Sequence, residues 1–275
     1  MSQQHSESIL SRTAVARLRQ SGPDEPGGTR PRLLTSDLSV NEFALLNEAG
    51  FQALGVVMGS SMYHIGFQFQ TFNQSQEIQV LTQAMYTARE YAMARMEAEA
   101  DILGADGIVG VQLDYRRYPW ADELLEFMAV GTAVRAVGNA NWRTAAGKPF
   151  TSDLCGQDLW TLVRTGHAPV SFVLGTCVYH VAHESFRQMW KTVGQNAEMP
   201  NFTQATYDAR EIAMARMQAE ADRDGAEGIL GVRITEENHI WGDNAIEFLS
   251  LGTAIRRLEQ TTVAPTPSLV VPMVD

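Results

Sequence analysis

The same stretch of sequence occurs twice in this chain. Residues 86–111 read YTAREYAMARMEAEADILGADGIVGV and residues 207–232 read YDAREIAMARMQAEADRDGAEGILGV, 19 identities in 26 positions at an offset of 121. The match runs on through Trp120 and Trp241, then through EFMAVGTAVR at 126–135 and EFLSLGTAIR at 247–256. Upstream the offset is 116: Thr35-Ser36-Asp37-Leu38 matches Thr151-Ser152-Asp153-Leu154, and the run Gly59 to His64 matches Gly175 to His180. The change of offset places a five-residue insertion in the second copy, near 187–201. A repeat of this length fixes the architecture before any element is assigned: 275 residues are two units of about 105, joined and flanked by short segments.

The segments between the repeats set the boundaries. Residues 1–32, with QSGPDEPGGTRP at 20–31, read as a flexible amino-terminal segment. The units are 33–137 and 150–258, the linker is 138–149, and 259–275 is a flexible Pro-containing tail. Leu10, Ala14 and Leu18, four apart, give 8–19 a short amphipathic pattern, expected to fray rather than to dock. Within each unit a short helix ends at Gly50 or Gly166; Ser39-Val40-Asn41-Glu42 has the capping-box form at the start of the first, and the second copy lacks that box. A β-rich run follows at 53–65 and 169–181. Next comes a long Ala-, Met-, Glu- and Arg-rich helix at about 78–103 and 202–224, ending before Gly104 and Gly225. Two more strands close each unit, at 107–115 with 123–136 and at 228–235 with 245–256. The fold class is therefore α+β, one long helix covering one face of a small antiparallel sheet in each copy.

Composition removes several function classes. With 21 Lys and Arg against 32 Asp and Glu, the net charge of −11 repels phosphate backbones and anionic headgroups, so no nucleic acid and no membrane is expected as a partner. No run approaches the roughly 18 apolar residues of a membrane span. The amino terminus has no basic region leading into an apolar one, so no secretory signal is expected. Two cysteines, Cys155 and Cys177, cannot make a disulfide framework and fit a reducing cytoplasm. No G-x-S-x-G, P-loop, G-x-G-x-x-G or H-E-x-x-H pattern occurs, and no catalytic residue is assigned.

The helix ending AREYAMARMEAEADILGADGIVGV, followed by EFMAVGTAVR, resembles the YbjQ-like family, described as a heavy-metal-binding domain, and the second copy resembles it again. The likeness covers nearly all of both units and neither tail. It implies dodecin-like βαββ subunits that assemble through edge strands and helices into a pentamer-like ring, and it implies no reaction. This chain departs from the single-unit pattern by fusing two units and by adding the short helix before each.

Several residues are candidates for chemistry. His64 and His180 occupy the same place in the two copies, each after a tyrosine, and imidazole is a common ligand for a divalent transition metal. One histidine per copy falls short of the three or four ligands such a site needs, so a strand histidine is the simpler expectation. Glu126 and Glu247 interrupt apolar strands, and a carboxylate there needs a partner. Arg89, Arg95, Arg210 and Arg216 on the long helices are the candidates for structural ion pairs with them. Trp120 and Trp241, at the turn before the last strand, are interface candidates. Met93 with Met96 and Met214 with Met217 read as core filler, and Cys177 as a buried inert thiol. The sequence thus predicts a cytoplasmic, ring-forming homo-oligomeric scaffold or binding protein without catalysis. Metal binding at His64 and His180 is the alternative, and an enzyme with an interfacial site the second. No cofactor is assigned beyond that metal. The tail around Ser268 to Met273 could add a strand to a protein partner.

Overall fold

The elements follow the repeat closely. In the computed structural model, which describes residues 9–21, 34–64, 75–118, 121–138, 141–181, 200–238 and 245–258, the short helices are α1 (Arg12–Ser21), α2 (Val40–Glu48) and α4 (Gly156–Arg164). The long helices are α3 (Gln79–Leu103) and α5 (Pro200–Arg223). The strands are β1 (Phe51–His64), β2 (Gln76–Glu77), β3 (Gly107–Tyr118), β4 (Ala121–Ala136), β5 (Phe150–Thr151), β6 (His167–His180), β7 (Gly228–Asn238) and β8 (Ala245–Arg257).

Local chemistry explains the boundaries. Ser39 and Glu42 form the full capping box of α2, which holds the Glu42 carboxyl below its usual range. The second copy does without the box: the Cys155 thiol accepts from the Asp158 amide at 3.4 Å and donates to its carboxylate at 3.2 Å. Sulfur takes the serine's place. Helix α3 ends where Gly104 adopts φ 68°, a left-handed cap.

Two mixed layers result. One sheet has the order β1-β4-β3-β5 and the other β2-β6-β8-β7, so the two central strand triples are equivalent. Helix α3 lies across β1 and β4, and α5 across β6 and β8. The approach is unusually close, because Gly59 and Gly175 leave room for helix backbone: a Cβ on either would overlap the carbonyl of Ala92 or Ala213. Around this contact Ala88, Ala92 and Met96 are fully buried, as are Ala209, Ala213 and Met217. The methionine pairs are core, as their helical spacing suggests.

The fourth strand of each sheet comes from the other side of the repeat. Residues 150–151 pair in parallel with β3 at 107–108, while 76–77 pair with the end of β6 at 179–180. The segment joining the copies is also tied down: Trp142 packs on Phe51, with ring centroids 4.8 Å apart, and Arg143 pairs with Asp101 at 2.9 Å.

The amino-terminal helix α1 departs from expectation. It docks on α3, with Leu18 only 1% exposed and Arg17 reaching both Glu99 oxygens at 3.1 and 3.0 Å. One leucine in the right phase buries enough surface to hold a ten-residue helix against its neighbour. No helix among the described residues is long and apolar enough to cross a membrane.

Candidate functional site

The best-built polar site in the molecule is the seam between the two copies. Helix α3 of the first copy reaches across to β6, whose outer edge would otherwise present bare backbone donors and acceptors. Three side chains at helical spacing meet that edge. Thr82 accepts from the Val178 amide at 3.1 Å, Tyr86 accepts from the Thr176 amide at 3.0 Å, and Arg89 donates to the Phe172 carbonyl at 2.9 Å. They lie on one face of α3 because residues four and three apart share a face. Burial pushes the Tyr86 hydroxyl above its usual range, so it stays protonated.

Charge completes the grip. Arg89 also pairs with Glu220 at 2.8 Å, the two side chains 7% and 12% exposed. The other Glu220 oxygen accepts from the Leu174 amide at 3.3 Å. Arg216 holds Glu77 through two bonds of 2.6 and 3.0 Å and donates to the Thr176 carbonyl at 2.9 Å. A planar guanidinium suits such forked contacts.

The second half of the seam is a strand addition. Beside β5, the Ser152 amide donates to the Ile108 carbonyl at 2.9 Å, and the Val111 and Gly110 amides donate to Ser152 and Leu154 carbonyls at 2.9 and 3.1 Å. The Thr-Ser-Asp-Leu motif is anchored alike in both copies. Ser36 bonds Thr132 at 3.1 Å and Ser152 bonds Thr253 at 3.1 Å, and each threonine also donates to the motif's aspartate, Asp37 or Asp153. Burial raises the Asp153 carboxyl above its usual range, against the opposing pull of Thr253 and Arg233. Further along, the Tyr115 hydroxyl of the first copy bonds Glu247 of the second, and burial drives that phenol far above its normal range.

The candidate residues divide accordingly. The four arginines are all engaged, but with acceptors other than the expected Glu126 and Glu247: Arg89 with Glu220, Arg216 with Glu77, Arg210 with Glu211 at 2.6 Å, and Arg95 with the Ser60 carbonyl. Glu247 is buried in the seam beside Tyr115, and Glu126 stands opposite Arg116 on the neighbouring strand. The partners differ because Arg89, Arg95 and Arg216 reach edge-strand carbonyls and Arg210 stays on its own helix, whereas Glu126 and Glu247 lie on the central strands.

His64 and His180 each end the first strand of their copy, paired in register with Leu124 and Ala245. Among the described residues no group of three or more His, Cys, Asp or Glu side chains could hold a metal ion. Within one chain, the described donor set does not fit a transition metal. Trp120, Trp241 and the tail from 259 lie outside the described residues.

Sequence reasoning missed Thr82, Tyr86, Glu220 and Glu77. A signal for the first two was present, since T-Q-A-x-Y-x-A-R recurs at 82–89 and 203–210. Cys177 is fully buried, and its thiol is pushed up to about 12 by burial, with Glu77 adding to the shift. At pH 8 a thiol reagent should label Cys155 in the folded protein and Cys177 only after denaturant is added. Equal labelling rates without denaturant would contradict the burial.

Known proteins resemble the chain in the same two regions. The profile of the YbjQ family, described as "Putative heavy-metal-binding", matches residues 48–137 and 167–257. An encapsulin nanocompartment protein of Mycobacterium tuberculosis is 54% identical over 240 residues, 87% of this chain and 91% of that protein. A UPF0145 protein of Thermus thermophilus is 46% identical over 59 residues, 22% of this chain and half of that one. A UPF0145 protein of Vibrio parahaemolyticus is 31% identical over 80 residues, 29% of this chain and 72% of that one. With both copies matched, the chain belongs to the YbjQ family as a tandem pair.

Proposed function

We propose that the protein is a non-catalytic scaffold that assembles with further copies of itself into a ring and associates with an encapsulin nanocompartment in the cytoplasm. The observation that carries the self-assembly is the seam between the copies. It is heterologous: the first copy offers its helix and β3, and the second answers with a different surface, its β6 edge and its Thr-Ser-Asp-Leu segment. A heterologous contact between equivalent units leaves one unmatched face at each end, and repeating it builds a ring or a filament. Dodecin-like units and a pentamer-like closure are the version that the family resemblance favours.

The encapsulin context rests on the relative from Mycobacterium tuberculosis, whose name places it in such a compartment and which aligns along most of both chains. Native mass spectrometry of the untagged full chain tests the reading. The expected mass is a single closed multiple of three or more chains with no metal increment, and co-expression with an encapsulin shell should bring the protein down with the shell. A single-chain mass at micromolar concentration would overturn the assembly. A metal increment lost in the double variant His64→Ala, His180→Ala would replace the scaffold by the metal reading.

A further inference from the structure

We infer that the β7 face of the second copy is the docking surface for the first copy of another chain, through the same contacts that join the copies within one chain. This rests on the self-assembly reading above and adds the faces, the register and the direction.

The support is a position-by-position correspondence between covered and uncovered residues. On β3, covered by 150–154, Val109 and Val111 are 0% and 1% exposed; their counterparts on β7, Leu230 and Val232, are 43% and 42% exposed. On the receiving side, Leu174 and Val178 along the β6 edge are 1% and 0% exposed, and their counterparts on the β1 edge, Met58 and Met62, are 46% and 54% exposed. Phe150 is fully buried, whereas Leu34, which stands in its place in the repeat, is 43% exposed. Exposed apolar side chains are common one at a time. Here each sits where its counterpart is covered by the other copy.

The polar groups correspond as well. Tyr207 and Arg210 repeat Tyr86 and Arg89; Tyr207 is 51% exposed, and Arg210 is folded back over its ring at 4.6 Å. The carboxylate that Arg210 would meet is Glu99 of the next chain, which already accepts from the Met58 amide at 3.0 Å just as Glu220 accepts from Leu174. In the single chain that position is filled by Arg17 of α1. Its side chain is 51% exposed, and an incoming Arg210 would keep the buried Glu99 carboxylate paired as Arg17 swings out to solvent. The β7 bulge at Gly231 has φ 64°, matching 63° at Gly110, so it turns its amides outward in the same way.

One glycine marks the empty place. A Cβ on Gly107 would overlap the Phe150 ring, so that site needs glycine. The equivalent Gly228 has only an Ile255 carbon, 3.8 Å from such a Cβ. Leu34 of a neighbour would fill the space.

The correspondence fails at one pair. Tyr115, bonded to Glu247, is replaced by Glu236, which a neighbour would set beside its own Glu126. Glu236→Tyr should therefore tighten assembly, lowering the concentration at which it half-forms.

The deciding experiment mixes two full-length variants and measures mass by native spectrometry. Val232→Arg spoils the donor face and Met62→Arg the receiving face, both at exposed positions. Each alone should run as a single chain that still unfolds in one cooperative transition, melting below the assembled wild type as lost assembly requires. Mixed, they should give a one-to-one pair and nothing larger, because each keeps one intact face. Wild-type oligomers that both variants also form would overturn the docking surface while leaving self-assembly standing. Single-chain variants that fail to pair would likewise overturn it. A wild-type protein that never assembles would overturn both readings.

Discussion

Gly175→Ala should destabilise the second copy by about 3 kcal/mol or more, measured as a fall in the denaturation midpoint. The added carbon would overlap the Ala213 carbonyl and press within 2.7 Å of the Met217 amide, and both obstacles are helix backbone that cannot rotate aside. The Ala213 carbonyl also accepts from the buried Ser250 hydroxyl at 3.1 Å, so moving α5 outward breaks a bond that ties helix to sheet. Gly59→Ala should cost a similar amount in the first copy, where Ala92 and Met96 are the obstacles. Gly228→Ala, made in the single-chain Val232→Arg background so that no neighbour covers it, is the control, since its Cβ meets nothing nearer than 3.8 Å and should change stability by less than about 1 kcal/mol. Equal losses at Gly175 and Gly228 would mean that close approach of helix to strand is not what holds the layers.

Glu220→Ala should cost about 3–5 kcal/mol, because it leaves the Arg89 guanidinium buried without its counter-charge. It also removes the acceptor for the Leu174 amide. Arg17→Ala unpairs Glu99 in the first copy and should cost less, about 1–3 kcal/mol: the Glu99 side chain is 5% exposed, but it keeps the Met58 amide as a donor, and losing an arginine that is 51% exposed opens it to water. The two pairs differ in the burial of their arginines, 7% exposed for Arg89 and 51% for Arg17. Replacing both Arg89→Met and Glu220→Leu should recover part of the stability, because the stranded charge goes while the Phe172 carbonyl and the Leu174 amide stay without their side-chain partners. Denaturant titration of the three variants gives the comparison. If Glu220→Ala loses no more than Arg17→Ala, the copies are not locked through that pair.

Much of the molecule could be read in advance from particular residues. The repeat placed both long helices within two residues of their observed starts and ends, because Gly104, Gly225 and the flanking strands punctuate the pattern. The capping box at Ser39 was legible as well, and the thiol cap at Cys155 was not, since sulfur is a weak acceptor rarely given that work. The helix arginines illustrate the other limit. Arg89 looked like a partner for an interrupted strand, yet it bonds Phe172 and Glu220, 83 and 131 positions away. A distance along the chain carries no information about which edge a helix will cover.

The sequence by itself determined that this is a tandem pair of one α+β unit in the YbjQ family, because repetition and periodicity are local properties written residue by residue. Only the tertiary structure decided that the two copies meet head to tail, with Thr82, Tyr86 and Arg89 on the β6 edge and residues 150–154 along β3. Two identical units carry identical patterns, so nothing in the pattern says which face of one meets which face of the other. Burial breaks that tie. Covering an edge strand and a bulge satisfies backbone groups that water would otherwise hold, and the uncovered counterparts on β1 and β7 show what remains to be matched.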